Sequence, residues 1–291
     1  MTADVLIAGL SGGANIALLA VAFYLTYLLA RTFHIALAGV YALVPFVAWE
    51  LVQRGLSLLV AACIATAIGG LVSVLCEFAN HGPLRRRHAT AEAHLLSSLG
   101  IYIAISQVLL LVWGPEARVL RVGLEPTYAM AGLVLRRTEI LTIATAGLSI
   151  IVLWGFFRAT RLGVVTQALQ DNPEELELLG FNTSAVRLLL FAIGGIYGAL
   201  AALLASLEGG FEAHYGFPSF LLAVVATLSV RGGGILGTAL AGIALGGLRA
   251  LCSWTLGARW QDTLSYGLFA VALLLQNRPF NRTTGRSGLR P

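Results

Sequence analysis

Long apolar runs separated by short polar breaks extend along the whole chain. The run 56–75 contains no charged residue, and a helix of about 20 residues spans the hydrocarbon core of a bilayer. The runs are continuous and do not alternate in polarity, which favours helices over the strands of a membrane barrel. The pattern therefore predicts an all-α, polytopic membrane bundle of about eight or nine transmembrane helices. The predicted spans are 14–30, 34–52, 56–78, 94–113, 138–157, 186–207, 217–230, 234–252 and 260–277.

Two regions of this pattern have more than one interpretation. The amino-terminal segment before the first span is apolar, but Gly9, Gly12 and Gly13 interrupt it. Because glycine weakens a helix, we expect a short interfacial or half-inserted segment there. The stretch 217–230 is short for a crossing, and a glycine-rich turn separates it from 234–252. These two stretches either cross the membrane twice or form a re-entrant hairpin.

The arginines predict the orientation of the chain, since positive residues are retained on the cytoplasmic side. Arg85, Arg86 and Arg87 form the strongest cluster, which makes their loop cytoplasmic. The loop 158–187 falls on the same side two crossings later, as does a flexible tail over 278–291. The amino terminus is then outside and the carboxyl terminus cytoplasmic. Four arginines fall on the outer side, against this rule: Arg118, Arg121, Arg136 and Arg137.

Composition excludes several functions. The chain is 58% hydrophobic, so a single membrane domain over 1–291 leaves little sequence for a soluble one. All nineteen positive charges are arginines; without lysine there is no lysine-dependent P-loop to hold ATP and no Schiff-base lysine. The three cysteines show no metal-ligand spacing, and no basic segment precedes a cleavage site, so we expect no cleaved signal peptide. We expect no catalytic residue, no metal and no cofactor in this chain.

The most informative segment is the polar loop after the fifth predicted span. Asp171 or Asn172 can cap a short helix, and Pro173 suits its first position. Two glutamates follow and complement the positive end of the helix dipole. Gly180 can end this helix in the left-handed conformation, and a second amphipathic piece, 160–169, precedes it. The pattern predicts two short helices joined at Asp171 and Asn172.

Leucines on the second short helix favour a protein-docking surface. Leu176 and Leu179 lie three residues apart on one face and are expected to be exposed, while Glu174, Glu175 and Glu177 keep the remainder polar. The alternative is a helix that lies on the bilayer surface, but anionic headgroups would repel three glutamates. We therefore expect another protein to bind this loop.

Several pieces of sequence occur here in a recognisable order. They are Thr160-Arg-Leu-Gly163, Gln167-Ala-Leu-Gln-Asp-Asn-Pro-Glu174, Leu178-Leu-Gly-Phe-Asn182, Phe191-Ala-Ile-Gly-Gly-Ile-Tyr-Gly-Ala-Leu-Ala-Ala-Leu203 and Gly234-Ile-Leu-Gly-Thr-Ala-Leu-Ala-Gly242. In order and spacing over about residues 158–277, they resemble the coupling loop, the following helix and the glycine-rich turn of ABC-transporter permeases for branched-chain amino acids.

The resemblance implies a permease subunit of an ATP-driven importer in a bacterial inner membrane. Such a subunit forms the pathway with a second, homologous permease; two ATPase subunits bind ATP, and an extracytoplasmic solute-binding protein delivers the solute. Branched-chain amino acids are the implied solutes, with urea, short amides and small organic acids as alternatives. The capped helix would be the lever that the ATPases move. The residues implied in coupling are Thr160, Gly163, Ala168, Asp171, Asn172, Pro173, Glu174, Glu175, Leu176, Leu179 and Gly180.

Polar residues near membrane ends or helix breaks are candidates for the translocation pathway. These candidates are Arg231, Gly232, Gly233, Gly234, Glu50 and His34. The glycine-rich segment could equally be a cytoplasmic turn, and the histidine could be a core or interfacial packing residue. Arg249, inside an apolar run, either lines the pathway or extends its charge to the interface.

Two other classes of protein compete with this interpretation. An autonomous secondary transporter or channel would show internal repeats or intramembrane acids, and neither is clear. The segment Gly9-Leu10-Ser11-Gly12-Gly13 matches the Gly-x-Ser-x-Gly pattern of serine hydrolases, but that elbow needs a preceding strand. An intramembrane protease would need a histidine at matching depth. The permease interpretation is favoured over both.

Overall fold

The computed structural model describes residues 2–120, 127–130, 133–230, 233–261, 263 and 266–267. Its helices are α1 (Thr2–Tyr24), α2 (Ala36–Gln53), α3 (Leu58–Cys76), α4 (Gly82–Arg86), α5 (Ala91–Trp113), α6 (Arg137–Ala159), α7 (Arg161–Asp171), α8 (Pro173–Leu178), α9 (Thr183–Glu208), α10 (Gly216–Leu228) and α11 (Gly234–Leu256). π-helical turns extend α1 over Leu25–Leu29 and α3 over Glu77–His81. Two short antiparallel pairs join β1 (Arg118–Val119) to β4 (Gly210–Phe211) and β2 (Thr127–Met130) to β3 (Leu133–Arg136).

The predicted all-α, polytopic fold is confirmed. In the part of the chain that the structure describes, seven helical segments are long and apolar enough to cross a membrane. The predicted count of eight or nine is approximate, because 217–230 forms only the shorter helix α10 and most of 260–277 lies outside the described residues. The seven segments are Val5–Leu29, Ala36–Gln53, Leu58–Arg86, Ala91–Trp113, Arg137–Ala159, Thr183–Glu208 and Gly234–Leu256.

The expectation of a separate amino-terminal segment is wrong, because α1 is continuous from Thr2 through the glycines. The glycines mark a close helix contact: a Cβ on Gly13 would lie 2.8 Å from the Ile243 carbonyl oxygen of α11, and one on Gly9 would lie 2.9 Å from the Ala250 Cβ. Small residues let two helix backbones approach within a membrane. The energy of this packing offsets the weak helix propensity of glycine.

Three helices form the centre of the bundle. In the apolar windows of α1, α2 and α9, 61% of the residues are buried within the protein, compared with 22–33% in the other four spanning segments. Those four are apolar on their outer faces as well, which is the pattern of helices that face lipid. The core is therefore built from α1, α2 and α9, with α3, α5, α6 and α11 around it.

The chain between α1 and α2 is irregular and buried. Thr32 and His34 are enclosed, and Arg31 adopts a left-handed conformation with φ of 55°. The backbone groups find partners nonetheless: the Thr32 N–H donates to the Thr26 carbonyl at 2.9 Å, and the Ala36 N–H donates to Ser98 Oγ at 2.9 Å. Irregular backbone is tolerated at membrane depth only when protein satisfies it in this way.

Candidate functional site

The segment 160–181, called here the α7–α8 loop, leaves the bundle at a sharp turn after α6. Thr160 Oγ1 donates to the Phe156 carbonyl at 2.7 Å, so the last turn of α6 is closed by this side chain. Gly163 lies directly on the Phe157 carbonyl, and a Cβ there would overlap that oxygen. The turn therefore requires a residue without a side chain at 163.

The predicted capping of the second short helix is confirmed. Asn172 Oδ1 accepts hydrogen bonds from the Glu174 N–H at 3.2 Å and the Glu175 N–H at 3.4 Å, and Pro173 occupies the first helical turn. Gly180 has a φ of 84°, the left-handed conformation that ends a helix, and the Phe181 N–H donates to the Leu176 carbonyl at 3.2 Å. Both ends of α8 are thus fixed by local contacts.

The expected exposure of Leu176 is wrong. Its side chain is 3% exposed and belongs to a buried hydrophobic cluster with Leu169. The exposed apolar residues at the end of α8 and in the turn after it are Leu178 and Leu179, at 88% and 74% exposure, together with Phe181. Because α8 is only six residues long, the fold of the loop decides which leucine turns inward, and helical spacing alone does not.

Polar contacts attach the α7–α8 loop to the bundle at two points. The Arg31 Nη2 donates to the Asp171 carbonyl at 3.2 Å, which joins the end of α1 to the junction between the two short helices. Thr183 Oγ1 donates to a Glu177 carboxylate oxygen, which joins α8 to the first turn of α9. Displacement of this loop would therefore be transmitted to two of the three central helices.

A buried charged cluster lies beside the loop, and the sequence analysis missed it. Glu77 is 2% exposed and forms an ion pair with Arg85, whose Nη1 also donates to Thr32 Oγ1 at 3.4 Å. A cavity of about 710 Å³ between α3–α4 and α8–α9 is lined by Glu77, Arg85, Glu177 and buried Arg187, among others. The available signal was a lone glutamate at the end of an apolar run.

Three histidines pack next to this cluster. The Nε2 of His34, a predicted pathway residue, lies 3.3 Å from Ser73 Oγ, and the Nδ1 atoms of His81 and His94 lie 3.1 Å apart. The ring of Phe191 packs against His34 and His81, with centroids 4.7 and 5.5 Å away. Within the described ranges, no group of three or more His, Cys, Asp and Glu side chains could hold a metal ion.

The other predicted pathway residues lie at both ends of the bundle. Glu50 is at the far end from the α7–α8 loop, where it pairs with Arg54 at 2.9 Å and accepts from Trp113 Nε1 at 3.3 Å. Gly233 and Gly234 lie at the loop end, next to Tyr24 and Gln167 in a cavity of about 330 Å³. Arg231 and Gly232 lie outside the described residues. The predicted pathway residues that the structure describes do not lie together at one place.

Comparison with known proteins identifies the class of this chain. Residues 5–273 match the model of a family described as the permease component of branched-chain amino acid transport systems. The chain belongs to this family. This permease is also 24% identical to the branched-chain amino acid permease BraD of Pseudomonas aeruginosa over 93% of its own length and 92% of that protein.

Further similarities extend over part or all of the permease. It is 32% identical to LivH of Salmonella typhimurium and of Escherichia coli over 44% of its length and 42% of theirs. The solved structure of PsaBC from Streptococcus pneumoniae in complex with Fab is similar with a TM-score of 0.52 and 11% identity, covering 93% of the permease and 90% of that chain. At this identity the structural similarity supports the fold alone.

Removing the cap of α8 should loosen the α7–α8 loop without affecting the rest of the permease. We expect Asn172→Ala to destabilise α8 by about 1 kcal/mol, because two backbone donors lose their acceptor. Amide exchange measured by mass spectrometry should then be about fivefold faster over 173–178 only. Asn182 is the equivalent cap of α9, since its Oδ1 accepts from the Ala185 N–H at 3.0 Å. Asn182→Ala is therefore the matched control. Unchanged exchange in α8 after Asn172→Ala would contradict this prediction.

Proposed function

We propose that this permease is the membrane-spanning subunit of an ATP-driven importer for branched-chain amino acids or related small polar solutes. The supporting comparison is the family match over 5–273, together with the similarity to BraD and LivH, both named as branched-chain amino acid permeases. In this proposal the chain forms the translocation pathway with a second, homologous permease. It lies in a bacterial inner membrane, with its amino terminus outside and its carboxyl terminus cytoplasmic.

In this proposal, separate partner proteins bind ATP and deliver the solute. Two ATPase subunits bind ATP, which is consistent with the absence of lysine from this chain, since a P-loop requires one, and an extracytoplasmic solute-binding protein delivers the solute. The permease itself carries no cofactor in this proposal. An autonomous secondary transporter is the alternative, and it would function without any of these partners.

The α7–α8 loop is the observation that carries the proposal. It presents two exposed leucines, Leu178 and Leu179, on a short capped helix, and exposed apolar residues on a polar segment are typical of a docking surface. The backbone behind them is fixed to α1 and α9 through Asp171 and Glu177. A bound ATPase can therefore move the two central helices by moving this loop, without deforming the loop itself.

The proposed orientation places this loop in the cytoplasm together with the arginine-rich turn at α4. The structure brings the two segments to the same end of the bundle, since Arg85 and Arg86 of α4 line one cavity with Glu174 and Glu177 of α8. A cluster of arginines favours the cytoplasmic side. Docking by a cytoplasmic ATPase requires this arrangement.

Charging the exposed leucines should uncouple the transporter. We expect the double variant Leu178→Asp/Leu179→Asp to lose most ATPase co-purification and to reduce ATP-dependent leucine uptake at least about tenfold, since two buried apolar contacts at an interface are each worth about 1.5–3 kcal/mol. The tagged permease is pulled down from native membranes and its partners are identified by mass spectrometry. Leucine uptake is measured in intact cells that carry the full transporter.

The control is a variant with a new negative charge on an exposed apolar residue at the other end of the bundle. Val119 of β1 is also apolar and exposed, so Val119→Asp should leave ATPase recovery unchanged. If the double variant still recovers the ATPase at the wild-type level, the docking role of α8 is refuted. If the wild-type permease recovers no ATPase at all while it transports leucine, the autonomous transporter replaces the proposal.

A further inference from the structure

An arginine sits within the last spanning segment that the structure describes, Gly234–Leu256, and lines two adjoining cavities. Arg249 is the one charged residue in the sequence of α11, and ionisable residues within spanning helices mark solute and ion pathways. A cavity of about 490 Å³ includes Arg249, Trp254 and Gln261. A smaller cavity of about 170 Å³ includes Arg249, Asn15 and Ser219.

The two cavities form a path from the far end of the bundle toward its interior. They share Arg249, Gly12 and Ile16, so the two cavities adjoin at these residues. The larger cavity reaches Trp254, which is exposed near the end of α11. That end is opposite the α7–α8 loop, because α11 begins beside Gln167 and rises about 1.5 Å per residue.

The smaller cavity combines polar groups with an apolar wall. Asn15 is 8% exposed, and its Oδ1 is buried with no hydrogen-bond partner among the described residues. Ser219 Oγ donates to the Tyr215 carbonyl at 3.1 Å and lies beside the Tyr41 side chain; a hydroxyl oxygen has two lone pairs, so it can also accept from a bound donor. Leu19 and Leu222 supply apolar wall, and Tyr41, Gly12 and Ile16 are the remaining lining residues. A buried acceptor without a partner is costly, and a bound donor would satisfy it.

We propose that this path holds a small aliphatic α-amino acid during translocation, with its carboxylate on Arg249. The planar guanidinium can donate two parallel hydrogen bonds to a carboxylate. Asn15 Oδ1 and Ser219 Oγ accept from the ammonium group, and Leu19 and Leu222 contact the aliphatic side chain. A cavity of about 150 Å³ accommodates a molecule of the size of benzene, so the small cavity suits a short aliphatic side chain. The polar end of the bound amino acid then extends toward the larger cavity.

This inference rests on the proposed function and adds the chemistry by which the chain itself selects the solute. The solute is recognised by a carboxylate, an ammonium group and a compact apolar side chain. Urea and short amides lack the carboxylate, so the site excludes them. Small organic acids share the carboxylate but leave Asn15 without a donor, so they bind more weakly.

Ligand-dependent thermal stability of the purified permease–ATPase complex tests the site directly, because a ligand that binds the folded state raises the unfolding midpoint. L-Leucine should raise the midpoint, whereas leucinamide, without the carboxylate, and 4-methylpentanoate, without the ammonium group, should raise it less. In Arg249→Gln the affinity for leucine should fall roughly 10- to 100-fold, the range expected for a lost charge-assisted hydrogen bond. Asn15→Ala should weaken leucine binding and leave 4-methylpentanoate binding unchanged.

Control variants separate a binding role from a structural one. Arg259→Gln removes the same chemical group from an exposed position outside both cavities and should keep the full leucine shift. Arg249→Lys retains the charge but lacks the planar fork, so it should bind leucine with intermediate affinity and fold even if Arg249→Gln does not.

The outcomes are also distinct from those of the proposed function. Equal shifts with leucine and leucinamide in the wild type, no shift with any of the three compounds, or a full leucine shift in Arg249→Gln would each overturn the site. In all these cases recovery of the ATPase with the permease would leave the importer proposal standing. Equal shifts with leucine and 4-methylpentanoate would overturn the amino-acid assignment in favour of a monocarboxylate.

Discussion

Substituting Gly246 with alanine is expected to disrupt the packing of α1 on α11. A Cβ at this position would overlap the backbone of Gly13 and lie 2.8 Å from the Gly9 carbonyl oxygen, and neither backbone group can rotate away. Overpacking of a tight contact costs about 1–3 kcal/mol and occasionally more. The variant should unfold at a lower temperature in detergent and aggregate on size-exclusion chromatography.

The neighbouring glycine supplies the matched control for this experiment. A Cβ on Gly247 would meet no atom within 4 Å, and alanine favours a helix over glycine by roughly 1 kcal/mol in aqueous peptides. Gly247→Ala should therefore be as stable as the wild type or slightly more stable. Equal melting behaviour of the two variants would show that the α1–α11 contact is not as close as described.

Removing Glu77 is expected to destabilise the loop end of the bundle by about 3 kcal/mol, the lower end of the cost of leaving one partner of a buried ion pair without the other, because the Arg85 side chain is 28% exposed. Glu77→Ala removes the carboxylate that pairs with Arg85, and buried Arg187 lines the same cavity. Two guanidinium groups then share a cavity in which Glu174 and Glu177 are the remaining acidic residues. The measurements are the unfolding midpoint of the purified permease and its amount in the membrane.

Two further variants separate charge imbalance from loss of contact at Glu77. The double variant Glu77→Ala/Arg85→Ala removes both charges and should recover part of the stability, because no unpaired charge remains from this pair. Glu50→Ala removes another glutamate from an ion pair, but Arg54 and Glu50 are solvent-accessible there, so stability should change little. A double variant less stable than Glu77→Ala would argue against the charge explanation.

Local features of the fold were predictable from the sequence because their causes are local. The cap at Asn172, the proline after it and the left-handed glycine at 180 lie within nine positions of one another, and each acts through backbone groups nearby. The spanning helices were equally readable, since a continuous apolar run has one stable structure in lipid. The sequence could therefore predict the shape of the α7–α8 loop and the class of the fold.

Features that depend on distant partners could not be predicted from pattern alone. Leu176 is inward because the loop folds back on the bundle, and the glycines of α1 continue its helix because α11 packs against them. His34 meets Ser73 across 39 positions. Asn15 and Arg249 line one cavity although they stand at opposite ends of the chain. In each case the decisive neighbour is specified by tertiary packing, which periodicity does not encode.

The buried, irregular stretch between α1 and α2 also constrains how the protein is made. The Ala36 N–H at the start of α2 has its acceptor, Ser98 Oγ, in α5, which the ribosome synthesises 62 residues later. Until α5 arrives, that donor lacks its acceptor, and an unsatisfied backbone donor shielded from water costs several kcal/mol. We therefore expect the first two spanning segments to remain beside the insertion machinery until the first four have emerged, so that biogenesis of this protein begins with a unit of four spanning segments.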